Sequence, residues 1–337
     1  MNAKFSGFIL IALMLLSFFG ASEGAVADTI TIVDGADRSV EVPSPPERIV
    51  STTASASELI CIFGGMDDIV GRDEYSTFPP GLEDIPVVGS YSKTTNVELV
   101  LDLDPDVVIS DTSMLPETIE QIEEAGVPVV VVGMNCELDS IMYNIQVIGE
   151  MMDDQEKAEE LTEYIQGYVD LIQERTEDLD ESEKPRVYHE CREYKSNADG
   201  TPKDEHIALA GGINIAHGES VERPIVSAEW VLENNPEIIV TRVSGTDPAT
   251  EEVLKAKRDE ILSRPGLKET AAVESGNVYV YHPFLRRGPR LVGYLLYMSK
   301  WFHPDLFEDV DPAGVEREIL QKFYGVEMEG TWAYPEI

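Results

Sequence analysis

Between residues 154 and 179 the chain reads DQEKAEELTEYIQGYVDLIQERTEDL, and apolar Ala158, Leu161, Ile165, Tyr168 and Ile172 recur at steps of three and four. That spacing predicts one long amphipathic α-helix. Asp153 and Asp154 stand where they can cap its start and meet the positive end of its dipole. No proline interrupts it, and Gly167 costs about 1 kcal/mol relative to alanine. At 1.5 Å per residue, about 25 residues span roughly 37 Å, the width of a small domain.

On either side of this helix a pattern repeats. Glu98-Leu-Val-Leu-Asp-Leu-Asp-Pro105-Asp-Val-Val-Ile109 is answered by Glu229-Trp-Val-Leu-Glu-Asn-Asn-Pro236-Glu-Ile-Ile-Val240. Each copy has a glutamate, two apolar residues, a leucine, three spacers, a proline, an acid and a β-branched run. A short glutamate-led helix followed by a buried strand is expected twice, and with it two lobes of like construction. Glu98 and Glu229 occupy equivalent places.

The remaining pattern alternates strand and helix. A hairpin is expected over 29–33 and 39–42, with Asp34-Gly35 in the turn. Strands follow at 48–50, 69–70, 87–91, 107–110 and 129–132, and helices at 58–63, 117–125 and 141–151. Beyond the long helix, strands are expected at 186–189, 238–242 and 278–281. Helices are expected near 207–210, 251–262, 291–302 and 315–324. Alternation in both halves predicts an α/β protein with two Rossmann-like lobes.

Residues 1–27 read differently. Lys4, the apolar run 8–19 and Ala25-Val26-Ala27 have the order of an export signal. Cleavage near Ala27 or retention as an anchor are both open. No cysteine lies near that site, so lipid attachment there is not expected. With 64 acidic against 25 basic residues the net charge is −39. That excludes nucleic acid and anionic lipid as natural partners. Cys61, Cys136 and Cys191 are too few and too scattered for a disulfide framework.

No nucleophile elbow, phosphate loop, HExxH or CxxC is present, so no catalytic residues and no metal ligands are assigned. Ligands of α/β folds gather at the carboxyl ends of strands. That rule nominates Thr52, Thr53, Tyr75, Tyr91, Met134 and Cys136 from the first half, and His189, Arg192 and Arg242 from the second. It also nominates the run His282-Pro-Phe-Leu-Arg286-Arg287. Arg286, Arg287 and Arg290 put three cations within five residues of a strongly acidic chain, and guanidinium suits carboxylate, phosphate or catecholate oxygens.

Taken in order, ITIVDGADRSVEVPSPPERIV, FPPGLEDIPVVGSYSKTTNVELVLDLDPDVVIS, LAGGINIA, VSAEWVLENNPEIIV, GYLLYMSKWFHPDLFEDVDP and KFYGV resemble the class III substrate-binding proteins of ABC importers, the receptors for ferric siderophores, haem and vitamin B12. The resemblance runs from about Ile30 to Pro335. It implies a signal over 1–27, an α/β lobe over 28–152, a connecting helix over 153–183, a second lobe over 184–337 and a ligand cleft between the lobes. It also implies that Glu98 and Glu229 dock onto a permease dimer carrying ATPase subunits. The chain is expected to act outside the cytoplasm as a monomer, not as an enzyme, and to need no cofactor. A ferric siderophore-type chelate is the expected ligand, given Arg286 and Arg287 beside Tyr75 and Tyr91. A corrinoid walled by Tyr75, Tyr91, Trp230 and Phe284 is the alternative, then haem with His189 or Tyr75 as axial ligand.

Overall fold

The structure is a computed structural model that describes residues 28–133, 136–245, 250–328 and 330–336. The expected export signal and Met134 lie outside the described residues. The chain opens with β1 (Thr29–Val33) and β2 (Ser39–Pro43), an antiparallel hairpin turned through Asp34. The first lobe follows as β3 (Ile49–Ser51), α1 (Ala54–Ile62), β4 (Ile69–Asp73), β5 (Val87–Gly89), α2 (Val97–Asp102), β6 (Val107–Asp111), α3 (Pro116–Glu124), β7 (Val129–Val132) and α4 (Leu138–Met151). Its five strands pair in the order β5-β4-β3-β6-β7, all parallel.

Then comes α5 (Gln155–Thr176), capped by the Asp154 carboxylate, which accepts from the Lys157 amide. Its buried face is Ala158, Leu161, Ile165, Val169, Ile172 and Thr176. Val169 thus takes the place expected for Tyr168, which is only partly buried and lies edge-on to Tyr164. The long helix packs against α4 on one side and against two helices of the second lobe on the other.

The second lobe comprises β8 (Arg186–Glu190), α6 (Pro202–Leu209), β9 (Ile213–Asn214), α7 (Ala228–Asn234), β10 (Ile238–Arg242), α8 (Glu251–Ser263), α9 (Ala271–Glu274), β11 (Val278–Tyr281), α10 (Leu291–Phe302), α11 (Pro312–Lys322) and β12 (Ala333–Tyr334). Sheet order is β12-β11-β10-β8-β9, parallel except for β12 at the edge. One apolar core includes Ile49 and Ile109 of the first sheet, the buried face of α5, and Val240 and Tyr281 of the second.

Two helices begin earlier than the hydrophobic pattern indicates. In α1 the segment from Ala54 to Ser57 is helical and buried, because its hydroxyls find partners inside the lobe: Ser57 Oγ donates to Ser51 Oγ at 2.8 Å and lies 2.8 Å from Ser76 Oγ. α6 begins at Pro202, with Thr201 Oγ1 accepting from the Asp204 amide. Proline at the first helical position loses no hydrogen bond there.

Candidate functional site

In both sheets the chain reverses its winding beside a central strand, between β3 and β6 in the first and between β8 and β10 in the second. Loops leaving the carboxyl ends of such strands leave a crevice. Here the crevice holds two basins. One, of about 350 Å³, is lined by residues that include His189, Arg192, Lys195, Lys203, Arg223, Arg242, Tyr281 and Arg286. The other, of about 480 Å³, is lined by Tyr75, Cys136, Arg242, Gly245, Pro283, Arg286 and Arg287. Cys136, Arg242 and Arg286 belong to both, so the basins join. Tyr75 and Cys136 come from the first lobe and the arginines from the second, which makes this an interlobe cleft. Together the basins fall in the size range of small-molecule sites.

Seven Arg and Lys side chains line the cleft, and among the described lining residues there is no carboxylate. Arg242 is aimed by Nε, which donates to the Cys191 carbonyl at 3.2 Å. Arg286 is partly buried and its Nε has no partner among the described residues. His189 is fully buried: its Nε2 lies 3.1 Å from the Tyr281 hydroxyl and its Nδ1 3.2 Å from Asn197 Nδ2. Burial, reinforced by Lys203, Arg286 and Arg242, holds its pKa well below the usual histidine value. It is a neutral wall of the basin. With both ring nitrogens engaged, it is not presented as an axial haem ligand. Tyr75 is 45 % exposed over the second basin, its amide held by the Asp73 carboxylate at 3.0 Å.

Other nominated residues go elsewhere. Thr53 is buried at the N-cap of α1 and lines neither basin, and Thr52 bonds Ser92 Oγ at 2.9 Å inside the first lobe. Tyr91 is exposed at the start of a short turn and reaches neither basin. Trp230 packs on α7 against the Tyr188 cluster and bonds Glu219, so it walls no cleft. Phe284 is buried beneath Arg287 and Arg290.

The clearest correction is Arg290. It is fully buried, and its Nη2 donates to both carboxylate oxygens of Glu58 at 2.9 Å. Its guanidinium lies 4.7 Å from the Phe78 ring centroid and 4.5 Å from that of Phe284. Tyr324 Oη donates to the same carboxylate at 2.9 Å. Glu58 belongs to α1 and Arg290 to the turn before α10, so this pair ties the lobes together behind the cleft. Lys203 is the opposite case: it is not among the residues nominated from the sequence, yet it lines the first basin.

The matched glutamates keep their equivalence. Glu98 lies in the first turn of α2, where Asn96 Oδ1 accepts from the Leu99 amide at 3.2 Å. Glu229 lies in the first turn of α7, where Ser227 Oγ accepts from the Trp230 amide at 3.1 Å. Both carboxylates are exposed, and each helix leads into a central strand of its own sheet.

A family described as periplasmic binding protein matches residues 49–284. The chain belongs to that family. A cobalamin-binding protein of Halobacterium salinarum is 27% identical to it over 288 residues, covering 84% of this chain and 76% of the relative. An uncharacterized ABC transporter substrate-binding lipoprotein of Bacillus subtilis, YvrC, is 27% identical over 290 residues, covering 83% and 87%. Among solved structures, the TroA-like periplasmic binding protein FepB from Veillonella parvula matches with a TM-score of 0.77 at 26% identity, covering 90% of this chain and 99% of that one. The protein is thus a substrate-binding protein of ABC transport, with the two-lobed α/β fold expected from its sequence. Among the described residues no helix is long and apolar enough to cross a membrane.

Proposed function

We propose that the protein works outside the cytoplasm, capturing an anionic metal chelate of the ferric-siderophore type in the interlobe cleft and delivering it to an ABC permease dimer with its ATPase subunits. The observation that carries this reading is the cleft itself: seven basic side chains, five of them arginines, without a lining carboxylate among the described residues, in a chain of net charge −39. Arg286 and Arg287, partly withdrawn from water, gain from an anion that meets their charge. Planar guanidinium groups suit carboxylate and catecholate oxygens. Tyr75, Arg192, Arg242, Arg286 and Arg287 are the proposed contacts, and Glu98 and Glu229 the proposed permease contacts.

Binding is tested by titrating the protein with a ferric catecholate, a ferric hydroxamate, haem and cobinamide, following tryptophan fluorescence. Arg286→Leu should weaken the anionic chelate about ten- to hundredfold, the value of about 1.5–3 kcal/mol for a charge-assisted hydrogen bond. Saturable binding of haem or cobinamide alone would refute the reading. A corrinoid is the second reading, favoured by the cobalamin-binding relative from Halobacterium salinarum. Three of its four expected aromatic walls, Tyr91, Trp230 and Phe284, lie outside the basins, which weighs against it.

A further inference from the structure

Lys203 is the least expected member of the cleft. It sits in the first turn of α6 at 7% exposure, and it lines the arginine-rich basin. Its Nζ lies 3.2 Å from His206 Nδ1 and 5.3 Å from the Tyr294 ring centroid. No ion pair with a carboxylate is found for it among the described residues. The neighbouring acid, Asp204, is engaged elsewhere: it accepts from Asn214 Nδ2 at 2.8 Å and pairs with His217 Nδ1 at 2.8 Å.

The titratable groups around it come from several elements. His206 is on its own helix and its Nε2 has no partner among the described residues. His189 comes from β8 and Cys191 from just beyond it; Arg242 comes from β10. Tyr281 and Arg286 come from β11 and the turn after it, Tyr294 from α10, and Cys136 from the first lobe. The charged groups in that set are cations.

We propose that Lys203 is a proton-linked anchor for the ligand: neutral in the free protein, where it shares a hydrogen bond with His206, and protonated once an anion enters the basin. A hydrogen bond between an amine and an imidazole nitrogen accommodates at most one positive charge. Burial, with Arg286 and Arg242 adding repulsion, depresses the pKa of Lys203 well below that of an ordinary lysine, and burial and Lys203 do the same to His206. An anion bound beside Arg286 reverses the sign of the local field and draws the proton on. The ligand therefore brings a proton with it, and its affinity falls as pH rises, by up to tenfold per pH unit between the free and bound pKa values of Lys203. This inference rests on the reading of the cleft as an anion receptor.

The test uses the full mature chain carrying 13C at the lysine ε-carbon, with the Lys203 signal assigned by Lys203→Met and by Lys203→Gln. The probe is a gallium(III) tris-catecholate, a diamagnetic substitute for the ferric chelate. The expected result is a neutral-amine signal for Lys203 in the free protein near about pH 7, moving to the ammonium position on saturation. Calorimetry of the unmodified protein in two buffers of different ionisation enthalpy should then give an uptake of up to one proton per chelate. An ammonium signal in the free protein, or binding without proton uptake, overturns the linkage and leaves the anion reading standing. Failure to bind either the gallium chelate or ferric citrate overturns both.

Discussion

Replacing Arg290 with methionine separates a structural cation from a ligand contact. Arg290 is fully buried, its Nη2 reaches both oxygens of Glu58, and Phe78 and Phe284 flank its guanidinium. Without it, the Glu58 carboxylate, 1% exposed, retains only the Tyr324 hydroxyl as a side-chain donor among the described residues. Breaking one side of a buried ion pair costs about 3–5 kcal/mol, because the partner charge is left uncompensated. Methionine fills most of the slot between the rings, so the cavity term is small, and about 4 kcal/mol is the expected loss. Arg290 Nε and Nη1 find no acceptor among the described residues, so the native pair is itself incompletely satisfied. Removing both charges in Glu58→Leu/Arg290→Met should therefore restore stability to within about 1–2 kcal/mol of the parent. Equilibrium urea unfolding of the parent, both single variants and the double variant measures all four corners of the cycle. If Arg290→Met keeps its stability within about 1 kcal/mol and instead loses ligand affinity, the interlobe role is wrong and the residue belongs to the cleft.

Glu316, fully buried on α11 with neither carboxylate oxygen bonded among the described residues, has its pKa raised from 4.5 to about 8 by burial first, with Glu58 adding to it against Arg290. Its stabilising contribution is complete below its unfolded pKa and is lost as pH rises through the folded one. Two and a half pH units above 4.5, at 1.36 kcal/mol each, put the cost at neutral pH at about 3 kcal/mol. Glu316→Gln should thus gain about 3 kcal/mol on the parent between pH 4 and 7, and denaturation curves whose difference stays flat across that range would contradict it. Charge reversal at both Glu98 and Glu229 should abolish ligand uptake in cells while leaving affinity in solution unchanged; undiminished uptake would refute the docking role.

Much of this fold was legible because periodicity and turn chemistry are local. The α5 stripe, the Asp34-Gly35 hairpin and the paired glutamates all follow from short stretches of chain. What escaped depends on burial. Three arginines within five residues look alike in sequence, but the turns over 283–290 send Arg286 and Arg287 to the cleft and Arg290 into the core. The missed start of α6 had a signal, since Thr201-Pro202 is a helix opening, and overlooking it hid Lys203 in the first turn. The helix expected from Glu58 starts at Ala54, because the buried Ser51–Ser57–Ser76 network holds the hydroxyl-rich stretch before it inside the lobe. Tyr168 lost its core place to Val169, four residues after Ile165 on the same helix face, while Ala158, Leu161, Ile165 and Ile172 are buried as expected. Trp230 matched a corrinoid wall by residue type alone; on α7 it packs against the cluster of Tyr188, Val231 and Ile239, none of which lines a basin.

A cationic cleft inside a chain of net charge −39 also sets how fast an anion can arrive. Far from the surface an approaching chelate meets the field of the whole molecule, which repels it; only within the mouth does the attraction of the arginines prevail. Dissolved salt attenuates an interaction exponentially with distance, with a Debye length of about 8 Å at physiological strength and about 3 Å at 1 M. The long-range repulsion is therefore erased before the short-range attraction. Capture should accelerate with ionic strength, the reverse of the behaviour of oppositely charged partners, and the receptor would take up its cargo fastest in brine.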